Sequence, residues 1–212
     1  MGGLKTAPAV LSPAQRHALA LAPELLPPDA YLAGGVAVAL SLAHRTSHDL
    51  DFFVPHTFDE LQLAERMSVS APGIRITGRA PSTVYLEVED VPVSIIAYRY
   101  PMLVPPTPTG GVDVAVAAPE DLISMKFSAI ASRGAARDFW DAHALMGLLS
   151  YDDLQMALTL YRRKYATEDV GHVVRSVVYF ADAEAGPWPR GLESAAWDRI
   201  KADFRAWVLR LA

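Results

Sequence analysis

Asp49 and Asp51 flank a single leucine in SHDLDFFV. Side chains on a strand alternate between faces, so the two carboxylates point the same way while Leu50 points oppositely. At about 3.4 Å of rise per residue they stand about 7 Å apart, close enough to converge on one divalent cation. Phe52, Phe53 and Val54 carry the run into an apolar core and pin its register. A strand end bearing two solvated aspartates would share this pattern. The upstream residues narrow the choice. Gly34-Gly35 stands just before an apolar stretch that reads as a buried helix to Leu42. Glycine lets the backbone approach a ligand, and the unpaired N–H groups of a helix start can receive a phosphate; a tight turn is the plainer role for such a pair. Arg45 and Ser47 can donate to phosphate oxygens. Mg²⁺ takes oxygen ligands and shares them between one or two carboxylates and substrate phosphates. Asp49 and Asp51 are thus the candidate metal ligands, and Gly34, Gly35, Arg45 and Ser47 the candidate phosphate binders of a metal–triphosphate site.

A second block, PEDLISMKFSAIASRGAARDFWDAHALM, opens a helix with Pro119 at its first turn and Glu120 and Asp121 on its positive end. Lys126 lies among its apolar residues, and Arg133 follows two helical turns later on the same face. Gly134 permits a sharp break, after which Asp138 and Asp141 stand as i, i+3 neighbours on the next helix. A surface lysine beside an ordinary Arg–Asp network would also fit these residues.

These groups need elements to hold them. The pattern predicts a helix over 13–26 and a strand over 47–54. It also predicts a helix over 57–67, with Thr57 and Glu60 as a capping box. Three runs rich in β-branched and aromatic residues, 74–78, 83–88 and 91–98, read as strands. The last two form a hairpin through Glu89-Asp90. A Pro/Gly-rich connector spans 101–111 and a last strand 112–117. From Pro119 the texture is almost purely helical, over 119–132, 135–148, 151–165, 167–180 and 193–210. An α+β domain over 1–118 followed by a helical domain over 119–212 is the expected division.

Composition sets the outer limits. The 212 residues, 51% hydrophobic and 20% charged, exclude a disordered or collagen-like chain. No cysteine is present, which excludes zinc–thiolate sites, iron–sulfur clusters and thiol catalysis. Residues 1–118 carry 7 basic against 11 acidic groups and residues 119–212 carry 12 against 13, so any polynucleotide contact must come from a local patch. Tyr161-Arg162-Arg163-Lys164-Tyr165 has the ingredients of such a patch, or of a solvated helix face with its aromatics turned inward. His44 and His48 are four apart, but the chain between them leaves a helix for a strand, which argues against a zinc pair. No apolar run is long enough to span a membrane and no signal peptide is evident, so a cytoplasmic protein is expected. MGGLKT fits a myristoylation pattern from Gly2 to Thr6, one short enough to arise by chance.

The string YLAGGVAVALSLAHRTSHDLDFF resembles the first motif of minimal nucleotidyltransferases in the DNA polymerase beta superfamily. In particular it is similar to the AbiEii-type toxins of type IV toxin–antitoxin systems and their MenT relatives. The Gly pair, His44-Arg45, Ser47 and the DLDFF strand occur in order at family spacing. The lysine block resembles the family's K-x6-R-x3-[KR]-D-x2-D pattern. The resemblance covers 31–148 and implies a mixed β-sheet flanked by helices, followed by a C-terminal helical bundle completing the active site. It implies Mg²⁺-dependent transfer of a nucleoside monophosphate from a nucleoside triphosphate to an acceptor hydroxyl. RNA, at a tRNA 3′ end, is the leading acceptor, a protein hydroxyl the second, and a cognate antitoxin protein an implied partner. Catalytic roles fall on Asp49, Asp51, Lys126 and Asp138. Lys126 would contact phosphate with Arg133 near it, Asp138 would orient Lys126 or the acceptor, and Asp141 would be more structural. One departure matters. Superfamily enzymes place a third carboxylate on a later strand, where VPVSIIAY offers Ser94; Glu87 and Glu89 on the preceding strand are the alternatives. This departure motivates the rival expectation of a catalytically inactive nucleotide-binding module. A metal-dependent hydrolase is a further rival.

Overall fold

The computed structural model describes residues 10–70, 73–109 and 111–211. The myristoylation-like stretch at 2–6 lies outside them. The chain divides into two compact units, 1–101 with 105–117 and 102–104 with 118–212.

The first unit is built on a mixed sheet. Helix α1 (Pro13–Leu25) starts with a complete capping box, in which the Ser12 hydroxyl accepts the Gln15 N–H and the Gln15 side chain accepts the Ser12 N–H. The fully buried strand β1 (Tyr31–Ala33) runs directly into helix α2 (Gly34–Leu42), which is followed by β2 (Leu50–Val54). The strand expected from residue 47 therefore starts three residues later. Its physical cause is Gln15, whose amide donates to the carbonyls of Ser47 (2.8 Å) and His48 (3.0 Å) and takes the acceptors a ladder would need.

Helix α3 (Glu60–Ser70) also departs from expectation. Its cap is Asp59, which accepts the N–H groups of Leu61 and Gln62 at 2.9 Å, while Glu60 accepts from the Ser82 N–H and closes no box with Thr57. Strands β3 (Ile74–Ala80), β4 (Thr83–Val88) and β5 (Val91–Ala97) form the expected meander. Glu89 and Asp90 both turn at positive φ, 49° and 67°, as a two-residue hairpin of matching twist requires. The strand expected over 112–117 shrinks to β7 (Ala115–Val116), which pairs with a two-residue β6 (Thr107–Pro108) inside the connector. Pro105, Pro106 and Pro108 lack the N–H groups a longer ladder would use.

The sheet order is β3-β4-β5-β2-β1-β7-β6, with β2/β5 and β1/β7 parallel and the other pairs antiparallel. Alternation is strict where it matters. Leu50, Phe52 and Val54 of β2, and Val84, Leu86 and Val88 of β4, are buried, whereas Asp51, Tyr85 and Glu87 are not. Helices α1 and α3 pack against this sheet.

The second unit is helical: α4 (Pro119–Arg133), α5 (Ala136–Leu148), α6 (Leu154–Tyr165), α7 (Gly171–Ser176), α8 (Ala181–Ala185) and α9 (Ser194–Leu209). The single helix expected over 167–180 is absent. The Asp169 carboxylate accepts the Gly171 N–H at 2.9 Å, a local turn that competes with helix, and α7 ends at the β-branched Val177-Val178. Phe139 centres the core, its ring 5.2, 5.7 and 5.6 Å from those of Phe180, Trp197 and Phe204. Among the described residues no helix is long and apolar enough to cross a membrane.

Candidate functional site

In the first unit the glycine pair is pressed against the acids. Gly34 turns at φ +67°, where a side chain is strained, and a Cβ there would overlap the Asp51 carboxylate. A Cβ on Gly35 would overlap the Ser47 hydroxyl and come within 2.9 Å of Arg45 Nη2. Gly34, Gly35, Arg45, Ser47 and Asp51 are therefore brought together at the start of α2. At this end the helix's first N–H groups face outward and favour anionic groups. The α2 N-cap residue, Ala33, supplies no side-chain hydrogen bond, so the helix start has no capping oxygen of its own.

The sheet register extends the site sideways. Asp51 lies opposite Ser94, Ser94 opposite Tyr85 and Tyr85 opposite Gly78, one row across four strands. The Ser94 hydroxyl donates to Asp51 Oδ1 at 2.7 Å and so fixes that carboxylate. Asp49 and Asp51 line a cleft of about 420 Å³ together with Tyr85, Glu87, Pro92 and Ser94. Asp49 sits one residue before the strand yet lines the same cleft as Asp51. Glu87 also lines the cleft but pairs with Arg75, and Glu89 lies in the hairpin turn, 3.7 Å from His17. Among the described residues no group of three His, Asp or Glu is placed to hold a metal ion. The donors that fit a divalent cation are the two aspartates, since hard cations take carboxylate oxygens and complete their shells with substrate or water.

The second unit gathers the other expected residues. Lys126 is buried and lies 3.2 Å from Asp138 Oδ1 and 2.7 Å from Asp141 Oδ2. Arg133 clasps Asp138 with two bonds of 2.8 Å, Nε to Oδ2 and Nη2 to Oδ1. Gly134 ends α4 in the left-handed conformation and lets α5 return its acids to the lysine. Burial pushes the Asp138 carboxyl up. The Arg133 hydrogen bond and the charges of Lys126 and Arg133 outweigh that push and hold it below the ordinary carboxylate value.

Three residues have partners that spacing alone does not reveal. Gln15 shapes the approach to Asp49 by holding the Ser47 carbonyl from 32 positions away. Lys164 and Asp121 form a fully buried pair at 2.6 Å, and Asp121 also accepts the Leu103 and Val104 N–H groups. From the sequence Asp121 is only an acid at a helix start. The cationic cluster at 161–165 thereby loses its lysine as a polynucleotide contact, because Lys164 faces Asp121 and Tyr161 is buried. The hydrophobic period of α6 offered a signal, since Leu154, Ala157, Tyr161 and Lys164 share one face.

Comparisons with known proteins give the family and the fold. A protein of Aquifex aeolicus, itself uncharacterized, is 33% identical over 157 residues, covering 73% of this chain and 75% of that protein. Among solved structures, MenT4, a nucleotidyltransferase toxin of Mycobacterium tuberculosis, matches with a TM-score of 0.62 at 20% identity, over 94% of this chain and 82% of its own. A nucleotidyltransferase structure from H. pylori matches with a TM-score of 0.47 at 18% identity, over 86% and 88% of the two chains. The profile described as the nucleotidyl transferase AbiEii toxin of type IV toxin–antitoxin systems matches residues 18–208, and the chain belongs to that family.

Proposed function

We propose that this enzyme transfers a nucleoside monophosphate from a nucleoside triphosphate to an acceptor hydroxyl on RNA, with the 3′ end of a tRNA as the leading substrate. Asp49 and Asp51 would hold Mg²⁺. When bound, the ion would supply positive charge against the triphosphate. The observation that carries the reading is the packing at Gly34 and Gly35, where any side chain would displace Asp51 or Ser47. That packing sets the start of α2 beside the Asp51 carboxylate, where one phosphorylated ligand would meet both.

Within this reading the α2 N–H groups, Arg45 and Ser47 bind the phosphates. Ser94 holds the Asp51 carboxylate in one orientation. The roles of the helical unit follow the K-x6-R-x3-[KR]-D-x2-D motif. Lys126 would neutralise the triphosphate, supported by Arg133, with Asp138 fixing the ammonium it touches. A cognate antitoxin and a cytoplasmic site of action complete the proposal.

The test incubates the protein and Mg²⁺ with total RNA and each α-labelled triphosphate in turn. Label should enter RNA with wild type and not with Asp49→Ala plus Asp51→Ala. A second reading rests on Ser94, which stands beside Asp51 on the strand where the superfamily carries its third carboxylate. On that reading the chain is a nucleotide-binding module without transferase activity. Wild type that labels neither RNA nor protein with any triphosphate would establish it. Loss of triphosphate without acceptor labelling would instead indicate a hydrolase.

A further inference from the structure

The cleft that holds Asp49 and Asp51 continues past them to an aromatic ring that the transfer chemistry leaves without a role. Tyr85 is 43% exposed, although its neighbours Val84 and Leu86 are buried. It stands two strands from Asp51 in the same row, about 10 Å away at an interstrand spacing of about 4.8 Å. Gly78 lies opposite it on the far side, where even a methyl group would reach Tyr85 Cδ2 at 3.4 Å. A larger residue at 78 would cover the ring.

The charges around the cleft select the ligand. Asp49, Asp51 and Glu87 line it, and Arg75 is committed to Glu87. A second phosphate would meet carboxylates there, whereas a neutral planar group would meet Tyr85 and Pro92. Nucleobases stack on aromatic side chains whatever their sequence.

We infer that Tyr85 is the stacking platform for a nucleobase whose sugar–phosphate lies at the Asp49–Asp51 end of the cleft. This inference rests on the proposed transferase reading. The base belongs either to the incoming triphosphate or to the terminal nucleotide of the acceptor.

The test uses 2-aminopurine, whose fluorescence falls when it stacks. One arm titrates wild type, with Mg²⁺, against 2-aminopurine riboside triphosphate. The other uses a short single-stranded RNA ending in 2-aminopurine. Quenching in one arm assigns the base to that source. Tyr85→Phe should keep the quench and the affinity. Tyr85→Leu, or Tyr85→Thr should the leucine variant not fold, should abolish the quench and weaken binding about tenfold. Absence of quenching in both arms overturns the inference. So does a Tyr85→Leu protein that binds and quenches as wild type does, or a Tyr85→Phe protein that loses both. RNA labelling that survives unchanged in Tyr85→Leu also overturns it while leaving the transferase reading intact. Tyr85-dependent quenching in a protein that transfers nothing sinks only the transferase reading.

Discussion

The two units treat their aspartates in opposite ways. In the first, Asp49 is exposed, and Asp51, half-buried, takes a hydrogen bond from the neutral hydroxyl of Ser94. In the second, Asp121, Asp138 and Asp141 are fully buried, and each lies against a cation: Lys164 for the first, Lys126 and Arg133 for the second, and Lys126 for the third. Taking a charge out of water costs several kcal/mol, roughly, unless it is paired, so the buried acids are locked to their partners by the architecture itself. Asp49 and Asp51 are not fully buried, and both border a cleft. The contrast teaches where charge is held for structure and where it is held ready for a ligand.

The comparison breaks most sharply at the exposed pair. Asp49→Asn with Asp51→Asn should reduce nucleotide transfer by about 10³-fold or more, the scale on which charge-stabilising groups act. The same variant should change its urea midpoint little, because Asp49 is exposed and Asp51 only half-buried. A fall in the midpoint together with activity would place these acids in the fold instead. The buried cluster should respond in stability as well as in transfer. Lys126→Ala takes away the ammonium that faces both Asp138 and Asp141, and should cost about 3–5 kcal/mol of stability by urea unfolding. A Lys126→Ala protein as stable as wild type, inactive or not, would refute its structural share.

How far the sequence spoke for itself follows the same divide. DLDFF and the glycine pair were legible because strand alternation and helix-start chemistry act over a few residues. The same holds for Gly134, whose left-handed turn closes α4 as its position suggested. What stayed hidden depends on partners distant in sequence. Gln15 shortens β2 by taking the carbonyls of residues 47 and 48. Asp59 captures the α3 cap because Glu60 is diverted to Ser82. Lys164 looked like a surface cation within YRRKY until α4 placed Asp121 2.6 Å from it. Propensity and spacing carry no term for such long-range competition.

A smaller effect sharpens the link between backbone and acid. Gly34→Ala places a Cβ at φ +67° and into the Asp51 carboxylate. Left-handed strain alone amounts to about 1–2 kcal/mol, measurable as a lowered urea midpoint. The carboxylate must also move, so triphosphate binding by calorimetry should weaken beyond what the stability loss explains. Binding that tracks stability would mean that the approach of Gly34 to Asp51 has no bearing on the ligand.

The smallest effect probes how the buried cluster is compensated. Arg133 is half-exposed while its partner Asp138 is fully buried, so at neutral pH Arg133→Ala should cost only about 1 kcal/mol after solvent screening. Its signature lies in acid. Asp138 titrates below its unfolded value in the native protein, so its contribution is fully present above about pH 4 and is lost as pH falls through the lowered native value. Burial, which pushes this carboxyl up, is opposed first by the Arg133 hydrogen bond. Without it the native value rises, and stability should begin to fall at a higher pH than in wild type. Urea midpoints measured from pH 7 down to about pH 3 would show the acid limb displaced, since the group now protonates nearer the range of ordinary carboxylates. Superimposable limbs would mean that Lys126 alone holds Asp138 ionised. The clasp of Arg133 would then be a surface contact, and the divide between exposed and compensated acids would run through the cluster as well as between the units.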